Sequence, residues 1–479
     1  MLNTNDSAFN AYTQTRQAHW DAVAQKRDSW RGWGGAYHRR IRDVYRHLVA
    51  PGQRVLEVCC GTGDLLAALE PERGVGVDFS SEMIRRGRER HPDIEFVQAD
   101  AHDLSALEGP FDVIIFSDAV NDLWDVQTAL EQVRRLSHPR TRLILNLYSH
   151  LWQAVLSLAQ ALDLAAPMLE QNWLTLADLS NLLNLSGFEV IRSWQEVLLP
   201  LPIPILSAFF NRFLIRFWPF YHLALSNFVI ARPLPEAIEA EPSVSIVIPA
   251  RNEAGNIRPI FERVPQMGSR MELIFVEGHS RDDTYAVIER EIAAHADIPS
   301  LLLRQTGIGK ADAMRLGFAH ASGDILMILD ADLTVPPEDL PRFYHAICSR
   351  KGEFVNGVRL VYPMERQAMR PFNFLGNKFF SLAFSWLLGQ PIKDTLCGTK
   401  VLWRRDYDLI VSNRSYFGDF DPFGDFDLLF GAARLNLKII DLPIRYRERS
   451  YGTTNISRWK HGWLLLKMVL FAARRIKFI

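Results

Sequence analysis

Cysteine is scarce in this chain, which has four such residues among 479. Cys59 and Cys60 are adjacent, which argues against a framework of disulfide bonds and predicts a reducing, cytosolic setting. The sequence also lacks an uninterrupted apolar run of roughly 20 residues, the length that a membrane-spanning helix needs. Residues 1–20 contain no apolar segment preceded by basic residues, so no signal peptide is predicted.

An excess of charge of either sign is absent as well. The formal net charge is -1, which gives no basis for a nucleic-acid partner. A hydrophobic content of 48% in 479 residues is typical of a globular protein with two domains of about 240 residues each. The stretch 232–243 bears prolines and acids but no aromatics. It predicts a linker between one domain at 1–231 and another at 244–479.

The first domain carries a strand, a glycine turn and a helix in succession at 54–69, RVLEVCCGTGDLLAAL. Gly61 and Gly63 would let a ligand approach the backbone at the start of the helix. The next predicted strand, 74–77, ends at Asp78. An acid about 20 residues past such a turn is well placed to accept hydrogen bonds from both hydroxyls of a ribose.

Two further predicted strands, 94–97 and 111–116, end in Asp100 and in the run SDAVND. This ordered set of residues resembles the class I methyltransferases that use S-adenosylmethionine, over roughly 40–150. The resemblance implies a Rossmann-like sheet with S-adenosylmethionine as cofactor, Asp78 at its ribose and Asp100 at its adenine. It assigns cofactor contacts to Glu57, Gly61, Gly63, Asp78, Asp100 and Ser117.

No motif in the sequence identifies the methyl acceptor. Tyr148 and His150 follow the predicted strand 143–147 and could face the sulfonium, or they could be structural or shape the substrate. The family usually has glycine where this chain has Cys59, so a binding or scaffolding module without methyl transfer is the alternative.

The apolar segment 198–230 is interrupted by prolines and arginines. The segment is either core or a surface that faces a membrane, and core is favoured.

The second domain is organised around an acidic pair. The apolar run 325–329 predicts a strand buried on both faces, and Asp330 and Asp332 follow at its carboxyl end. In open α/β sheets ligands bind beyond that edge, and two carboxylates one residue apart can hold a hard divalent cation with a diphosphate. The alternative is a solvated acidic turn.

Two more predicted strands, 244–248 and 273–276, run into PARNEAGNI and EGHSRDDT. With GIGKADAM and the acidic pair, this order resembles the family 2 glycosyltransferases over 243–455. The resemblance implies an α/β domain of the GT-A fold that binds a nucleotide-sugar donor, with Mg²⁺ or Mn²⁺ on Asp330 and Asp332. It assigns donor contacts to Ala250, Glu253, Glu277, Lys310 and Asp330.

Three later segments fit the polyprenyl-phosphate branch of that family, which includes dolichol-phosphate mannose synthases: DTLCGTKVLWR, DFDLL and RSYGTT. The resemblance implies inverting transfer to a polyprenyl phosphate or related glycolipid, and the alternative is a soluble or protein acceptor. A phosphate acceptor needs no base, whereas a hydroxyl acceptor would make Asp425 the candidate base. The candidate catalytic residues are Asp332, Asp425 and Arg449, and the candidate acceptor-phosphate residues are Arg359, Arg370 and Arg449.

Two amphipathic stretches, 374–389 and 458–479, predict helices with wide apolar faces. Basic residues recur along the second stretch, which is typical of a helix that lies on an anionic bilayer. The sequence therefore predicts a cytoplasmic enzyme in peripheral contact with the inner face of the cell membrane. Ordinary packing or dimerisation of the same helices is the alternative.

Overall fold

The computed structural model describes residues 7–26, 34–161, 169–234, 240–359, 361, 371–412, 425–447, 449, 451 and 458–478. The chain forms two compact units, one of Met1–Leu234 with Phe478–Ile479 and one of Pro235–Lys477. Each unit contains a seven-stranded sheet with helices, so the predicted α/β fold with two domains is confirmed.

A seven-stranded sheet forms the centre of the first unit. Its strands are β1 (Arg54–Val58), β2 (Arg73–Asp78), β3 (Glu95–Gln98), β4 (Phe111–Ser117), β5 (Ser137–Tyr148), β6 (Phe188–Glu196) and β7 (Ser226–Pro233). Their order in the sheet is β3-β2-β1-β4-β5-β7-β6. The strands from β1 to β5 pair in parallel, and β7 is antiparallel to both β5 and β6.

Eight α-helices are described in this unit: α1 (Ser7–Lys26), α2 (Gly34–Leu48), α3 (Asp64–Ala67), α4 (Ser81–Arg90), α5 (Val126–Arg135), α6 (Gln153–Ala161), α7 (Leu176–Leu185) and α8 (Leu206–Ala208). Three begin at a polar cap, because the side chains of Ser80, Asp125 and Thr175 accept hydrogen bonds from backbone N–H groups in the first turn. Shorter 3₁₀ and π turns occupy Val120–Asp122, His150–Trp152, Phe209–Phe213, Leu214–Arg216 and Phe220–Leu223.

The second unit also has one mixed sheet. Its strands are β8 (Val244–Ala250), β9 (Met271–Glu277), β10 (Ser300–Arg304), β11 (Ile325–Ile328), β12 (Phe354–Val358), β13 (Lys400–Trp403) and β14 (Ile439–Pro443). Their order is β10-β9-β8-β11-β13-β12-β14. Strands β8 to β11 pair in parallel, β13 is antiparallel to β11 and β12, and β12 is parallel to β14.

The described helices of this unit are α9 (Ala254–Arg263), α10 (Thr284–Ala294), α11 (Lys310–His320), α12 (Leu340–Cys348), α13 (Pro371–Leu388), α14 (Arg404–Ser412), α15 (Asp425–Arg434) and α16 (Arg458–Ala472), with short turns at Pro337–Asp339 and Ala473–Lys477. Among the residues that the structure describes, no helix is long and apolar enough to span a bilayer.

The strand orders place one ligand edge in each unit. In the first sheet the chain leaves β1 toward β2 on one side and returns as β4 on the other, so the crevice lies at the carboxyl ends of β1 and β4. In the second sheet β8 is flanked by β9 and β11 in the same manner. The predicted strand ends that carry Asp78, Glu277 and Asp330 therefore fall at these edges.

Two expectations about the middle of the chain need correction. Arg232 and Pro233, which the sequence places in the linker, belong to β7, and Arg232 is buried in an ion pair with Glu189. The segment 198–230 is only partly core. Its last residues are buried in β7, but 203–223 carries many solvent-exposed aromatic and aliphatic side chains.

Close packing of α11 on the second sheet depends on Gly317. A Cβ at this position would overlap Val247 and lie 3.2 Å from Val276. Gly317→Ala should lower the free energy of unfolding of this unit by about 1–3 kcal/mol, because the helix must move off the sheet. Thermal and urea unfolding of the full chain measures the loss.

Gly376→Ala is the matched control, since Gly376 is also helical but a Cβ there would meet no atom within 4 Å. It should be neutral or slightly stabilising. Equal effects of the two substitutions would contradict the packing argument.

Candidate active sites

Asp78 closes β2 at the carboxyl edge of the first sheet. Its Oδ2 accepts a hydrogen bond from the Gly61 backbone N–H at 2.9 Å, and its Oδ1 accepts one from the Ser80 N–H at 2.9 Å. Burial raises the pKa of Asp78 to about 6, although these two backbone donors act to lower it. The carboxylate thus holds the glycine turn in place and retains lone pairs for a ligand's hydroxyl groups.

Backbone conformation explains the glycines of this turn. Gly61 and Gly63 have φ of 55° and 71°, and a Cβ on Gly63 would lie 2.5 Å from the Phe96 ring. Cys59 also has a positive φ, of 58°, which is a conformation that favours glycine. Glu57 is buried in β1, and its Oε2 accepts from the Leu66 N–H at 3.1 Å. Glu57 therefore fixes the helix that follows the turn.

Asp100 forms a local pair with His102. The backbone N–H of Asp125 donates to His102 Nε2 at 3.0 Å, so the ring proton resides on Nδ1 and is donated to Asp100. Burial acts to raise the pKa of Asp100, but the bonds from His102 outweigh it and the pKa is lowered. Phe9 contacts the His102 ring edge-on at 5.5 Å between centroids. Asp100 is therefore an anion beside an aromatic wall, which suits a nucleobase.

Helix α1 is fixed to the residues that follow β2 and β4. Arg16 Nε and Trp20 Nε1 donate to the two carboxylate oxygens of Asp122, each at 2.8 Å. Gln17 Nε2 donates to the Phe79 carbonyl at 3.2 Å. Both anchor points lie just past strand ends, so α1 borders the crevice where the cofactor is predicted.

A second polar cluster follows Ser117, at the end of β4. Tyr37 on α2 donates its hydroxyl to Asp118 Oδ1 at 2.6 Å, and the Asn146 amide donates to the same oxygen. Burial raises the pKa of Asp118 to about 7, against the lowering effect of these two bonds. The Tyr148 ring lies 5.8 Å from that of Tyr37, between centroids. The structure thus places Tyr148 beside an acid that the sequence analysis did not single out.

The acidic pair of the second unit is already balanced by cations. Lys310 Nζ lies 2.6 Å from Asp330 Oδ1, and the Arg449 guanidinium donates to Asp332 Oδ2. Burial acts to raise the pKa of Asp330, but Lys310 outweighs it and the pKa is lowered. A Cβ on Gly398 would collide with the Asp330 carboxylate and lie 2.5 Å from Lys310 Nζ. Only glycine at 398 leaves room for this ion pair.

Three predicted donor residues lie at the same edge, two at the ends of β8 and β9 and one, Glu253, shortly after β8. Ala250 is the last residue of β8 and pairs with Glu277, the last of β9. Glu277 accepts from the Ser280 backbone N–H at 2.5 Å. Burial raises the pKa of Glu253 to about 7, and Asn256 donates to this carboxyl group at 2.7 Å while Arg449 lies 3.7 Å away.

The arginines predicted to bind the acceptor phosphate differ in their surroundings. The Arg359 guanidinium makes two bonds to the buried Asp394 carboxylate, at 2.7 and 2.9 Å. The guanidinium N–H groups that the sequence predicts would bind the acceptor phosphate are therefore already bonded to Asp394. Arg370 lies outside the described residues. Asp425 begins α15, and its side chain also lies outside the part of the chain that the structure describes.

The donor set suits a divalent cation only in combination with a ligand. Within the described residues, no group of three or more His, Cys, Asp or Glu side chains could hold a metal ion. Asp330 and Asp332 supply carboxylate oxygens at one edge, and Mg²⁺ is commonly held by one or two carboxylates together with substrate phosphates. The residues therefore fit a metal that arrives with a diphosphate.

Sequence reasoning missed Asp118, His102 and Asp394. Asp118 lies in the run SDAVND, directly after Ser117, and Asp394 begins the run DTLCGTK. Both residues lie in motifs that the sequence shows, but their partners, Tyr37 and Arg359, are 81 and 35 residues away in the chain. His102 follows Asp100 by two residues, and its role depends on a bond from Asp125.

Family models match both halves of the chain. Residues 55–140 match a model described as a methyltransferase domain, and residues 245–408 match glycosyl transferase family 2. The chain therefore carries both predicted domains. Over 232 residues it is 26% identical to an undecaprenyl-phosphate 4-deoxy-4-formamido-L-arabinose transferase of Sodalis glossinidius (strain morsitans). That match covers 47% of this chain and 66% of the relative's length.

Solved structures are similar to parts of this chain. A SAM-dependent methyltransferase of Thermotoga maritima is 16% identical, with a TM-score of 0.35, and the match covers 45% of this chain and 99% of that one. A glucosyl-3-phosphoglycerate synthase of Mycobacterium tuberculosis, in complex with Mn²⁺ and UDP, is 20% identical with a TM-score of 0.36. That match covers 49% of this chain and 80% of the other.

The raised pKa of Asp78 predicts how cofactor binding depends on pH. The ionised carboxylate accepts hydrogen bonds from ribose hydroxyls, so affinity for S-adenosylmethionine should fall as pH drops through about 6 and Asp78 gains a proton. Asp78→Asn should weaken binding by about 2 kcal/mol at neutral pH and abolish that dependence. Calorimetric titration of the full chain measures both effects.

Asp93→Asn is the matched control, because Asp93 is exposed at the amino end of β3. It should leave the affinity and its pH profile unchanged. A wild-type chain that does not bind S-adenosylmethionine would support the scaffold alternative, and an unchanged profile in Asp78→Asn would contradict the role of Asp78.

Proposed function

A methyltransferase domain and a family 2 glycosyltransferase domain share this chain, and we propose that it catalyses two transfers. The second unit moves a sugar from a nucleotide-sugar donor to a polyprenyl phosphate, with inversion at the anomeric carbon and with Mg²⁺ or Mn²⁺. The first unit moves a methyl group from S-adenosylmethionine to an acceptor.

The observation that carries the glycosyl transfer is the charge balance at the edge of β8 and β11. Two carboxylates, Asp330 and Asp332, each lie against a cation, Lys310 and Arg449. A diphosphate that enters with a divalent metal brings equal and opposite charge to this edge. The metal suits Asp330 and Asp332, the donor's diphosphate suits Lys310, and the acceptor's phosphate suits Arg449, so the ions would exchange partners at this edge.

Donor binding is proposed for the neighbouring strand ends. Ala250 and Glu277 are paired across β8 and β9, and Glu253 opens α9 directly after β8. Glu253 and Glu277 would accept hydrogen bonds from the ribose and the base. A bound divalent metal would neutralise the charge that develops on the departing diphosphate.

Arg449 is the proposed contact for the acceptor phosphate. It already lies between Asp332 and Glu253, at the edge where the donor would bind. An ionised phosphate can attack the anomeric carbon without a side chain to remove its proton, because its second pKa is near 6. The similar transferase of Sodalis glossinidius carries undecaprenyl phosphate in its name, which supports this class of acceptor.

Peripheral membrane contact is supported by the polarity of α13. Its Asn377 and Ser381 are buried, and Ser381 donates to the Ile392 carbonyl at 2.7 Å. Phe379 and Leu382 are exposed instead, Leu382 to 71%. A helix that turns its polar stripe inward and its apolar residues outward suits a lipid surface on which a polyprenyl chain would lie.

For methyl transfer, the proposed cofactor contacts are those at the ends of β1, β2 and β3. Asp78 would hold the ribose, Asp100 would meet the adenine, and the turn with Gly61 and Gly63 would receive the methionine end. Glu57 and Ser117 would complete the cradle. Alignment of the sulfonium with its acceptor is the main requirement of such a transfer.

Substitution of Asp332 tests the metal. Asp332→Asn should lower the turnover of lipid glycosylation by at least about a hundredfold, because the departing diphosphate loses its counter-charge. Mn²⁺ binding in the presence of UDP or GDP should weaken in parallel. Product is measured by mass spectrometry of lipid extracted from reactions with undecaprenyl phosphate and a panel of UDP- and GDP-sugars.

Asp297→Asn serves as the control, since Asp297 is exposed and lies before β10, away from the carboxyl edge. It should keep wild-type turnover. Full turnover by Asp332→Asn, or by the wild-type protein in excess chelator, would contradict the metal assignment.

Substitution of Arg449 tests the acceptor. Arg449→Ala should raise the KM for undecaprenyl phosphate by about tenfold or more, because the phosphate loses a two-pronged partner. Arg449→Lys should lose less affinity for the acceptor than Arg449→Ala does. The control is Arg447→Ala, at an exposed neighbouring residue, which should retain wild-type kinetics. Asp425→Asn should have a small effect, since a phosphate nucleophile needs no base.

Two results would contradict this acceptor class. One is loss of transfer in Asp425→Asn while the fold is intact, which would indicate a hydroxyl acceptor and a general base. The other is a water-soluble sugar that proves a better acceptor than the lipid phosphate.

A further inference from the structure

Two segments of the first unit form an unusual apolar surface, which we call the lip: 151–158 and 203–223. Among the described residues from 7 to 234, fourteen large hydrophobic side chains are exposed, and eleven of them belong to the lip. These eleven are Leu151, Val155, Leu158, Ile203, Ile205, Leu206, Phe209, Phe213, Phe217, Trp218 and Leu223. Such a concentration exceeds the scattered exposure of single apolar residues that is normal on a protein surface.

The two segments are joined in space by hydrogen bonds. Trp152 Nε1 donates to the Leu223 carbonyl at 2.9 Å, and the Ser149 backbone N–H donates to the Leu225 carbonyl at 2.8 Å. The exposed residues before and after these contacts therefore belong to one surface. Phe209, Phe213 and Phe217 form a ladder across it, with ring centroids 5.6 and 5.0 Å apart.

The lip is held from beneath by polar groups. Asn211 is buried, and its Oδ1 accepts from the backbone N–H groups of Leu198 and Leu199 at 2.8 and 2.7 Å. Arg216 donates to Glu196 at 2.7 Å. Polar residues thus point into the protein while their aromatic neighbours point outward. Phe478 stacks on Phe213 at 5.4 Å, yet Phe213 remains 46% exposed.

The charged residues of the lip indicate what kind of surface it binds. The sequence has no Asp or Glu in 149–161 or in 197–234, whereas Arg212 and His222 are exposed within the lip. An apolar surface whose two segments carry aromatic residues, an exposed arginine and no acid is complementary to an anionic bilayer. A complementary protein surface would have to be both apolar and acidic, and self-association through the lip is a separate outcome of the test below.

We propose that the lip inserts into the interfacial region of an anionic bilayer, so that the methyltransferase unit holds lipid through its own surface. This goes beyond the membrane contact proposed for the second unit. Strand β5 ends at Tyr148, whose ring lies beside Tyr37, the partner of Asp118, and the chain enters the lip within three residues. If the unit transfers methyl groups as proposed, an acceptor borne by a lipid would reach the strand edge from this side.

A fluorescent probe in the lip tests the insertion. Ile205 is 87% exposed, so Ile205→Cys can carry an environment-sensitive NBD label without disturbing the core. With full-length protein, vesicles of phosphatidylglycerol and phosphatidylcholine should raise the NBD emission several-fold and shift it to shorter wavelength. Vesicles of phosphatidylcholine alone should do so much less. The wild-type chain, labelled in the same way, gives the background from its native cysteines.

Leu185→Cys supplies the matched control, since Leu185 is 59% exposed in the same unit but outside the lip. Its label should not respond. An unresponsive label at 205 would overturn the proposal, whether the protein sediments with vesicles through its other unit or does not bind them. A response at 205 that grows with protein concentration in the absence of lipid would overturn it in favour of self-association.

A double substitution measures how much the lip contributes. Ile205→Ser with Trp218→Ser should weaken affinity for the anionic vesicles by at least about tenfold, because two large apolar side chains no longer leave water. Leu185→Ser should not weaken it, and calorimetry with S-adenosylmethionine checks the fold. Unchanged affinity in the double variant would contradict the proposal. Vesicle binding needs no turnover, so its result is separate from that of the Asp332 and Arg449 tests.

Discussion

Both sheets depend on how the chain turns at the carboxyl ends of their parallel strands. Ten described residues other than glycine have a positive φ, and four of them lie within two residues of such an end. These four are Cys59, Asp118, Asn252 and His279, which follow β1, β4, β8 and β9. A left-handed residue there reverses the chain within a short space and directs backbone N–H groups into the crevice. The strain is tolerated because the strands on either side are buried.

The turns also decide where charge can be buried. In the first unit, Asp78 holds backbone N–H groups and remains a weak acid with a raised pKa. In the second, Asp330 and Asp332 face side-chain cations. Neutral backbone donors suit a ligand whose contacts there are hydroxyl groups. Side-chain cations suit a ligand that brings both a metal and a diphosphate, because both partners can then be exchanged at little electrostatic cost.

The sequence predicts what is local and periodic. The predicted strands at 74–77, 273–276 and 325–329 lie within a residue or two of those observed, because buried apolar runs interrupted by glycine and acid have few alternative structures. The Asp118 cluster could not be predicted, since Tyr37 comes from a helix 81 residues earlier. The pairing of Arg359 with Asp394 has the same origin, because one residue follows β12, the other lies in the loop before β13, and 35 residues separate them in the chain.

The lip shows why composition alone misleads. The apolar content of 198–230 favours core, and nothing local distinguishes a phenylalanine that points inward from one that points outward. Asn211 and Arg216 decide the outcome. The buried Asn211 bonds to the backbone of Leu198, and Arg216 pairs with the buried Glu196, so the opposite face of the segment turns to the outside. Helix α13 follows the same rule through Ser381 and Ile392. In both units, satisfied polar groups beneath the surface fix an apolar face above it, and a lipid substrate would be met by such faces.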